Sequence, residues 1–197
     1  MQEISVLRPN VSREEAIAAL RPGGFTGVVR DLAVGPLRSI ADVYVPFRLF
    51  RAVIENGKAR EERWLAIDMV EGSLDPYGFD ARPDSSALAR IETRNFLPAL
   101  ISDDRGAEML RLKVQRLIFR LGFFRAQNLA MEFTPIALEI HVPYWLAFRG
   151  RGEQAHLDVL DAVRRRPEGA RARQLFRSWL LNHPAPALSP SPAHPQS

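Results

Sequence analysis

Two stretches of this chain are so dense in apolar side chains that the strands they predict have no polar face. In VYVPFRLFRA, Val43, Val45, Phe47 and Leu49 share one face, and Tyr44, Arg48, Phe50 and Ala52 the other. In IHVPYWLAFR, Ile140, Val142, Tyr144 and Leu146 oppose His141, Trp145 and Ala147. A strand apolar on both sides must be covered on both, by helices, by its sister strand or by a second subunit. Pro46 and Pro143 cannot donate to a ladder, which predicts a sheet edge or a bulge at each.

Helical periodicity accounts for much of the rest. Ser12 followed by Glu15 in VSREEAIAAL is a capping box, in which the hydroxyl takes an orphan amide and the carboxylate reaches back. Ser102 with Asp103 and Asp104 opens a second helix, with acids at the positive end of its dipole. That helix is predicted to run to about Leu121, with Leu110, Val114, Leu117 and Leu121 on an apolar stripe and Lys113, Arg116 and Arg120 on a basic one. A last helix is predicted after Pro167 and up to Asn182, burying Ala172, Leu175, Phe176, Trp179 and Leu180 and leaving Arg166, Arg173 and Arg177 outside. The turn-rich stretch 72–87 reads as a long surface loop, and the Pro/Ser/Ala tract 183–197 as a disordered or polyproline-like tail.

Sliding the chain along itself reveals an internal correspondence. Anchoring Pro46 on Pro143 pairs Val45 with Val142, Phe47 with Tyr144 and Leu49 with Leu146. Downstream, Asp68 meets Asp161 and Val70 meets Val163, after a turn shortened by an even number of residues that preserves which way each side chain points. Upstream, VSREEAIAAL matches ISDDRGAEML, each followed by a Gly-Phe pair, Gly24–Phe25 and Gly122–Phe123. Each copy therefore reads helix, glycine stop, short strand, long strand, turn, strand. The expected fold is α+β, an internally duplicated helix plus antiparallel β-hairpin unit, with the sheet covered by helices and the copies related by a pseudo-twofold. Residues 1–98 form repeat one, 99–182 repeat two, and 183–197 the tail.

The segment VSREEAIAAL with DVYVPFRLF about thirty residues on resembles a repeated module of uncharacterised bacterial proteins, often headed by a zinc ribbon, in which a Ser-x-Glu-Glu-Ala helix precedes a Tyr-x-Pro-Phe strand. The resemblance covers residues 11–55 and, more weakly, 101–149. It implies the fold and no assigned reaction. This chain departs from it in lacking the ribbon and in carrying Arg48 where the module has an aromatic residue; Trp145 in the second copy keeps it.

Composition narrows the function classes. The 197 residues are 46% hydrophobic and 25% charged, enough to bury a core without staples. Cysteine is absent, which excludes disulfides, a thiol nucleophile and cysteine-ligated zinc or iron–sulfur sites. The first fifteen residues hold no apolar run of signal-peptide length, and no stretch nears 18 uninterrupted apolar residues, so a cytoplasmic location without a transmembrane segment is expected. The net charge is only +4, but it is segregated. Residues 105–125 carry six basic side chains and one Glu, residues 164–177 six Arg and one Glu, and the remainder of the chain is net acidic.

Candidate chemistry is sparse. Gly23, Gly24 and Gly27 follow a helix and lack the Lys-Ser/Thr of a phosphate loop, so they read as a helix stop, and Gly150 with Gly152 as a hairpin turn. The four histidines, at 141, 156, 183 and 194, include no i,i+4 pair, and no cofactor or metal is expected. His141, beside Trp145, reads as packed. Asp68 and Asp161 form a candidate acidic pair, since each ends an apolar strand at matching places; two close carboxylates could share a proton or hold a metal ion, whereas the simpler reading is that each caps a following turn or pairs with a nearby Arg such as Arg63 or Arg164. Lys113, Arg116, Arg120, Arg166, Arg173 and Arg177 are the candidate ligand-binding residues. The function these features favour is a non-catalytic binding or assembly domain, with a protein partner or self-association. The alternative is a nucleic-acid-associated protein using the two arginine-rich helices, and the third reading a hydrolase using Asp68 and Asp161.

Overall fold

A computed structural model describes residues 1–21, 29, 31–120, 129–150 and 155–182, except for the side chain of Arg120. In chain order the elements are β1 (Gln2–Leu7), α1 (Arg13–Leu20), β2 (Leu37–Asn56), β3 (Ala59–Asp68), β4 (Tyr77–Phe79), β5 (Leu88–Thr93), α2 (Asp103–Arg120), β6 (Ala130–Arg149), β7 (His156–Asp161), β8 (Arg166–Pro167) and α3 (Ala170–Asn182), and residues 31–34 are helical as well. The strands form one curled, largely antiparallel eight-stranded sheet in the order β4-β3-β2-β6-β1-β5, with β7 on β6 and β8 on β7. The fold is mixed α/β, and no described helix is long and apolar enough to cross a membrane.

The helix starts follow the local chemistry. Ser12 and Glu15 close the capping box on α1, with Glu15 Oε2 accepting from Ser12 N at 2.8 Å and Ser12 Oγ from Glu15 N at 3.2 Å. Ser102 Oγ accepts from Arg105 N at 3.3 Å to start α2. Among the described residues no separate short strand precedes either long one. Residues 31–34 are helical where the first would lie nearest β2, and β6 runs unbroken from Ala130 because Ile136 and Leu138 continue the alternation of Ile140. The glycine stops at 23, 24, 27 and 122, Gly152 and the tail 183–197 lie outside the described residues.

The centre of the sheet is the antiparallel pairing of β2 with β6, where Val45 faces Val142, flanked by Val43 opposite Tyr144 and Phe47 opposite Ile140. All six are buried in the main core, which α3 closes with Leu175, Phe176 and Trp179. The other face carries two smaller clusters. Ala16 and Leu20 of α1 cover Ala147 and Leu160, and Leu110 of α2 covers Phe50, Ile67 and Met69. Both strand faces are thus sealed by the same chain, each large side chain contributing about 1.5–3 kcal/mol on burial.

The prolines are not at an edge. β2 lies between β3 and β6, and β6 between β2 and β7, and the register shift in β2 falls between Arg48 and Phe50 rather than at Pro46. Proline is tolerated there because of where the neighbouring strands stop. Pro46 O accepts from Met69 N at 2.9 Å and Pro143 O from Ala162 N at 3.1 Å. A residue's N and C=O point to the same side of a strand, so each missing donor faces the point where β3 or β7 has just ended at Asp68 or Asp161.

The segment after each aspartate receives the chain from the other half of the sequence. Asn10 N donates to Ala162 O at 2.8 Å ahead of α1, and Leu100 N to Met69 O at 2.7 Å ahead of α2. Trp145 Nε1 donates to Val11 O at 3.2 Å, and Arg48 Nε pairs with Asp103 at 2.9 Å, so each hairpin holds the start of the helix from the other half. The stretch 72–87 is not a surface loop throughout. Leu74 and Tyr77 are in the main core, and residues 77–79 pair with β3, because Tyr77 packs edge-on against Phe47 at 5.4 Å between centroids.

Candidate functional site

The two strand-ending aspartates are fully buried, and each caps its own turn. Asp68 Oδ1 accepts from Glu71 N at 3.0 Å and Gly72 N at 2.8 Å, and Oδ2 from Leu74 N at 2.8 Å. Asp161 Oδ1 accepts from Val163 N at 2.9 Å and Arg164 N at 2.8 Å, while Oδ2 accepts from the Tyr77 hydroxyl. Both oxygens of both carboxylates are thus engaged by groups of the chain itself. Burial first, and then the Asp161 charge, push the Tyr77 phenol well above its ordinary value. The Arg164 guanidinium lies 3.6 Å from the Tyr77 ring centroid, sealing this point from solvent.

The basic positions divide. Arg166 is tied to Asp75 at 2.8 Å and to Glu168 at 3.2 Å, and Arg173 Nη1 donates to Glu168 O at 3.5 Å. Arg177 is exposed on α3, and the Arg120 side chain lies outside the described residues. Lys113 and Arg116 border a groove of about 340 Å³ with Gly72, Ser73, Arg105 and Arg171. Arg171 was not among the residues singled out from sequence, although its place in the Arg-rich run was visible. Lys113 is half-buried, and Nζ donates to Leu74 O at 2.6 Å. Its basicity is lowered mainly by burial, opposed by Asp68 and Asp75 and assisted by Arg171 and Arg116.

A cleft of about 650 Å³ lies between the C-terminal half of α2 and the β2–β3–β4 side of the sheet. Val114, Leu117 and Ile118 of α2 form one wall, and Ile54, Trp64, Leu65 and Phe79 most of the other. Its polar groups are few: Asn56, Asp80, and Glu61, which is paired with Arg63. The apolar stripe read from α2 is therefore only partly spent on the core. Leu110 is buried, but Leu117 is 56% exposed at the cleft.

Sequence reasoning also missed a buried arginine. Arg149, at the end of β6, has no exposed side-chain surface and pairs with Asp158 at 2.7 Å and Asp31 at 3.0 Å, while donating to Leu20 O and Gly35 O. The available signal was an Arg at the end of an apolar strand with an acid across the hairpin, which had read as turn. His156 Nε2 lies 3.3 Å from the other oxygen of Asp158. His141 is buried edge-on to Phe96, and burial lowers its basicity. Among the described residues no three His, Asp or Glu side chains are grouped as a metal would require.

The chain matches no protein-family model, no curated protein and no solved structure.

Proposed function

We propose that this chain is a non-catalytic binding domain whose ligand is an apolar small molecule held in the cleft under α2. The observation that carries this is the cleft itself. Its volume of about 650 Å³ falls in the range of small-molecule sites, about 300–1,000 Å³. Trp64 and Phe79 supply broad apolar surface, while Asn56 and Asp80 stand where a single polar group of the ligand could be oriented. The described lining includes no imidazole, thiol or hydroxyl, which favours binding over chemistry. A recessed cleft suits an inserted small molecule better than a second copy, whose stable docking needs about 800 Å² of complementary surface on each partner.

Decan-1-ol, titrated while tryptophan emission is followed, tests this. Gly78 borders the cleft, and a Cβ there would meet only Leu65 Cδ2 at 3.7 Å, so Gly78→Leu fills the cavity without strain in the backbone. Saturable binding that weakens at least about tenfold in Gly78→Leu is expected. Equal affinity of both proteins for decan-1-ol would remove the reading.

The two-copy reading of the fold draws support from the register. The β2–β6 pairing is centred on Val45 and Val142, which the Pro46/Pro143 anchor makes equivalent, and the bonds from Met69 to Pro46 and from Ala162 to Pro143 match in the same frame. Arg48 and Trp145, also equivalent, each grip the start of a helix. Nucleic-acid binding across both arginine-rich helices draws less, because Arg166 and Arg173 already have partners inside the chain.

A further inference from the structure

The groove beside α2 lies on the opposite side of that helix from the cleft, so it stands independently of the apolar-ligand reading. Arg105, Met109, Leu112, Lys113 and Arg116 follow helical spacing along one face, whereas Leu110, Val114 and Leu117 turn toward the sheet and the cleft. The facing wall is the turn that Asp68 holds by three backbone bonds. Gly72 in that turn has φ +64°, and a Cβ on it would come within 2.6 Å of Met109 Cε, so glycine lets the turn approach the helix closely. Arg171, near the start of α3, closes the groove.

Three cations converge there. Lys113 is held in place by the carbonyls of Ser73 and Leu74, and it feels the carboxylates of Asp68 and Asp75 as well as, more weakly, the guanidiniums of Arg171 and Arg116. Arg116 and Arg171 are exposed and have no acidic partner among the described residues, unlike Arg166, which has two. The Ser73 hydroxyl on the same lip is buried and has no hydrogen-bond partner among the described residues. Asp68 and Asp75 offset part of this charge at Lys113, but Arg116 and Arg171 are paired with no described acid, and a buried hydroxyl left unpaired is unfavourable; a bound anion would relieve both.

We propose that this groove is a binding site for a phosphoryl group carried by a small molecule. Two planar guanidinium forks, one ammonium and one hydroxyl provide the directed donors that a tetrahedral dianion with three terminal oxygens requires. A volume of about 340 Å³ holds a phosphoryl group and part of the molecule bearing it. Duplex or single-stranded nucleic acid would need the positive surface to continue, and ahead of α3 it is interrupted at β8, where Arg166 turns to Asp75 and Glu168.

Phenyl phosphate, titrated by calorimetry into the full chain, is the probe, with benzoate and a 20-base-pair duplex as comparison ligands. Saturable one-to-one binding of phenyl phosphate, clearly tighter than benzoate, is expected. Arg116→Ser/Arg171→Ser should weaken it at least about tenfold, and Ser73→Ala by a smaller factor. Both arginines are exposed and unpaired, so the double variant should keep the wild-type melting temperature. Arg177→Ser, exposed on α3 but not bordering the groove, should bind as wild type does. The proposal fails if phenyl phosphate does not saturate by about 10 mM. It also fails if Arg177→Ser weakens binding as much as the double variant, or if only the duplex binds.

Discussion

Removing the Arg149 guanidinium should destabilise this fold more than any surface substitution, because of what it leaves behind. Arg149→Met keeps an unbranched apolar stem but deletes every donor. Asp158, whose side chain is 8% exposed, then loses its bond at 2.7 Å, Asp31 loses one at 3.0 Å, and the carbonyls of Leu20 and Gly35 lose theirs. Breaking a buried pair from one side leaves the other charge poorly compensated, at a cost of about 3–5 kcal/mol. For a chain of this length that lowers the melting temperature by roughly 6–20 °C. His156, 3.3 Å from Asp158, softens the loss without replacing the links to Asp31, Leu20 and Gly35. Arg149→Met/Asp158→Asn removes the stranded charge as well, and should recover at least about 1 kcal/mol relative to the sum of the single changes. Urea unfolding followed by circular dichroism at neutral pH gives both numbers. If Arg149→Met lies within about 1 kcal/mol of wild type, or the two substitutions simply add, the cluster is not the tether described.

Two further outcomes follow from the geometry. All three tyrosines, Tyr44, Tyr77 and Tyr144, are raised above the ordinary phenol value, first by burial and then by neighbouring groups. Their contribution to stability is complete below the unfolded value of about 10 and is lost as pH rises toward the folded values, at about 1.4 kcal/mol per pH unit for each. Phenolate absorbance at about 295 nm should therefore appear together with the loss of circular dichroism, and phenolate formation well before unfolding would contradict the burial. Gly35 and Gly72 both have positive φ, but a Cβ at Gly35 would meet the Gly150 backbone at 2.7 Å, whereas one at Gly72 would meet the flexible Met109 side chain. Gly35→Ala should thus be the more destabilising of the two in thermal melts, by about 1 kcal/mol or more, and the reverse order would count against this packing.

What could be read from the sequence was whatever depends on periodicity or on a cap within a few residues. The two-faced apolar strands, the Ser12 box and the buried face of α3 all appear as expected because strand alternation and helix capping are local. What could not be read depends on where another segment stops or arrives. Pro46 looked like an edge residue because its missing donor is visible in sequence, while the end of β3 at Asp68 beside it is not. The stretch 72–87 looked like a surface loop because its turn residues are dense, yet Tyr77 enters the core to meet Phe47 and, 84 residues away, Asp161.

The charged residues show the same limit most sharply. Arg48, Arg149, Arg166 and Arg171 are one residue type, and nothing local separates them; their roles are set by acids and carbonyls far along the chain. Arg48 takes Asp103, Arg166 takes Asp75, and Arg149 takes Asp31 and Asp158, so each is a structural clamp. Arg171 and Arg116 border a groove and take no acid among the described residues. A run of arginines is therefore a set of clamps with a remainder, and binding potential resides in the remainder. Arg48 makes the point from the other side: its guanidinium pairs with Asp103 at the start of α2, and the Trp145 indole donates to Val11 O ahead of α1, so two unlike side chains each secure the beginning of a helix.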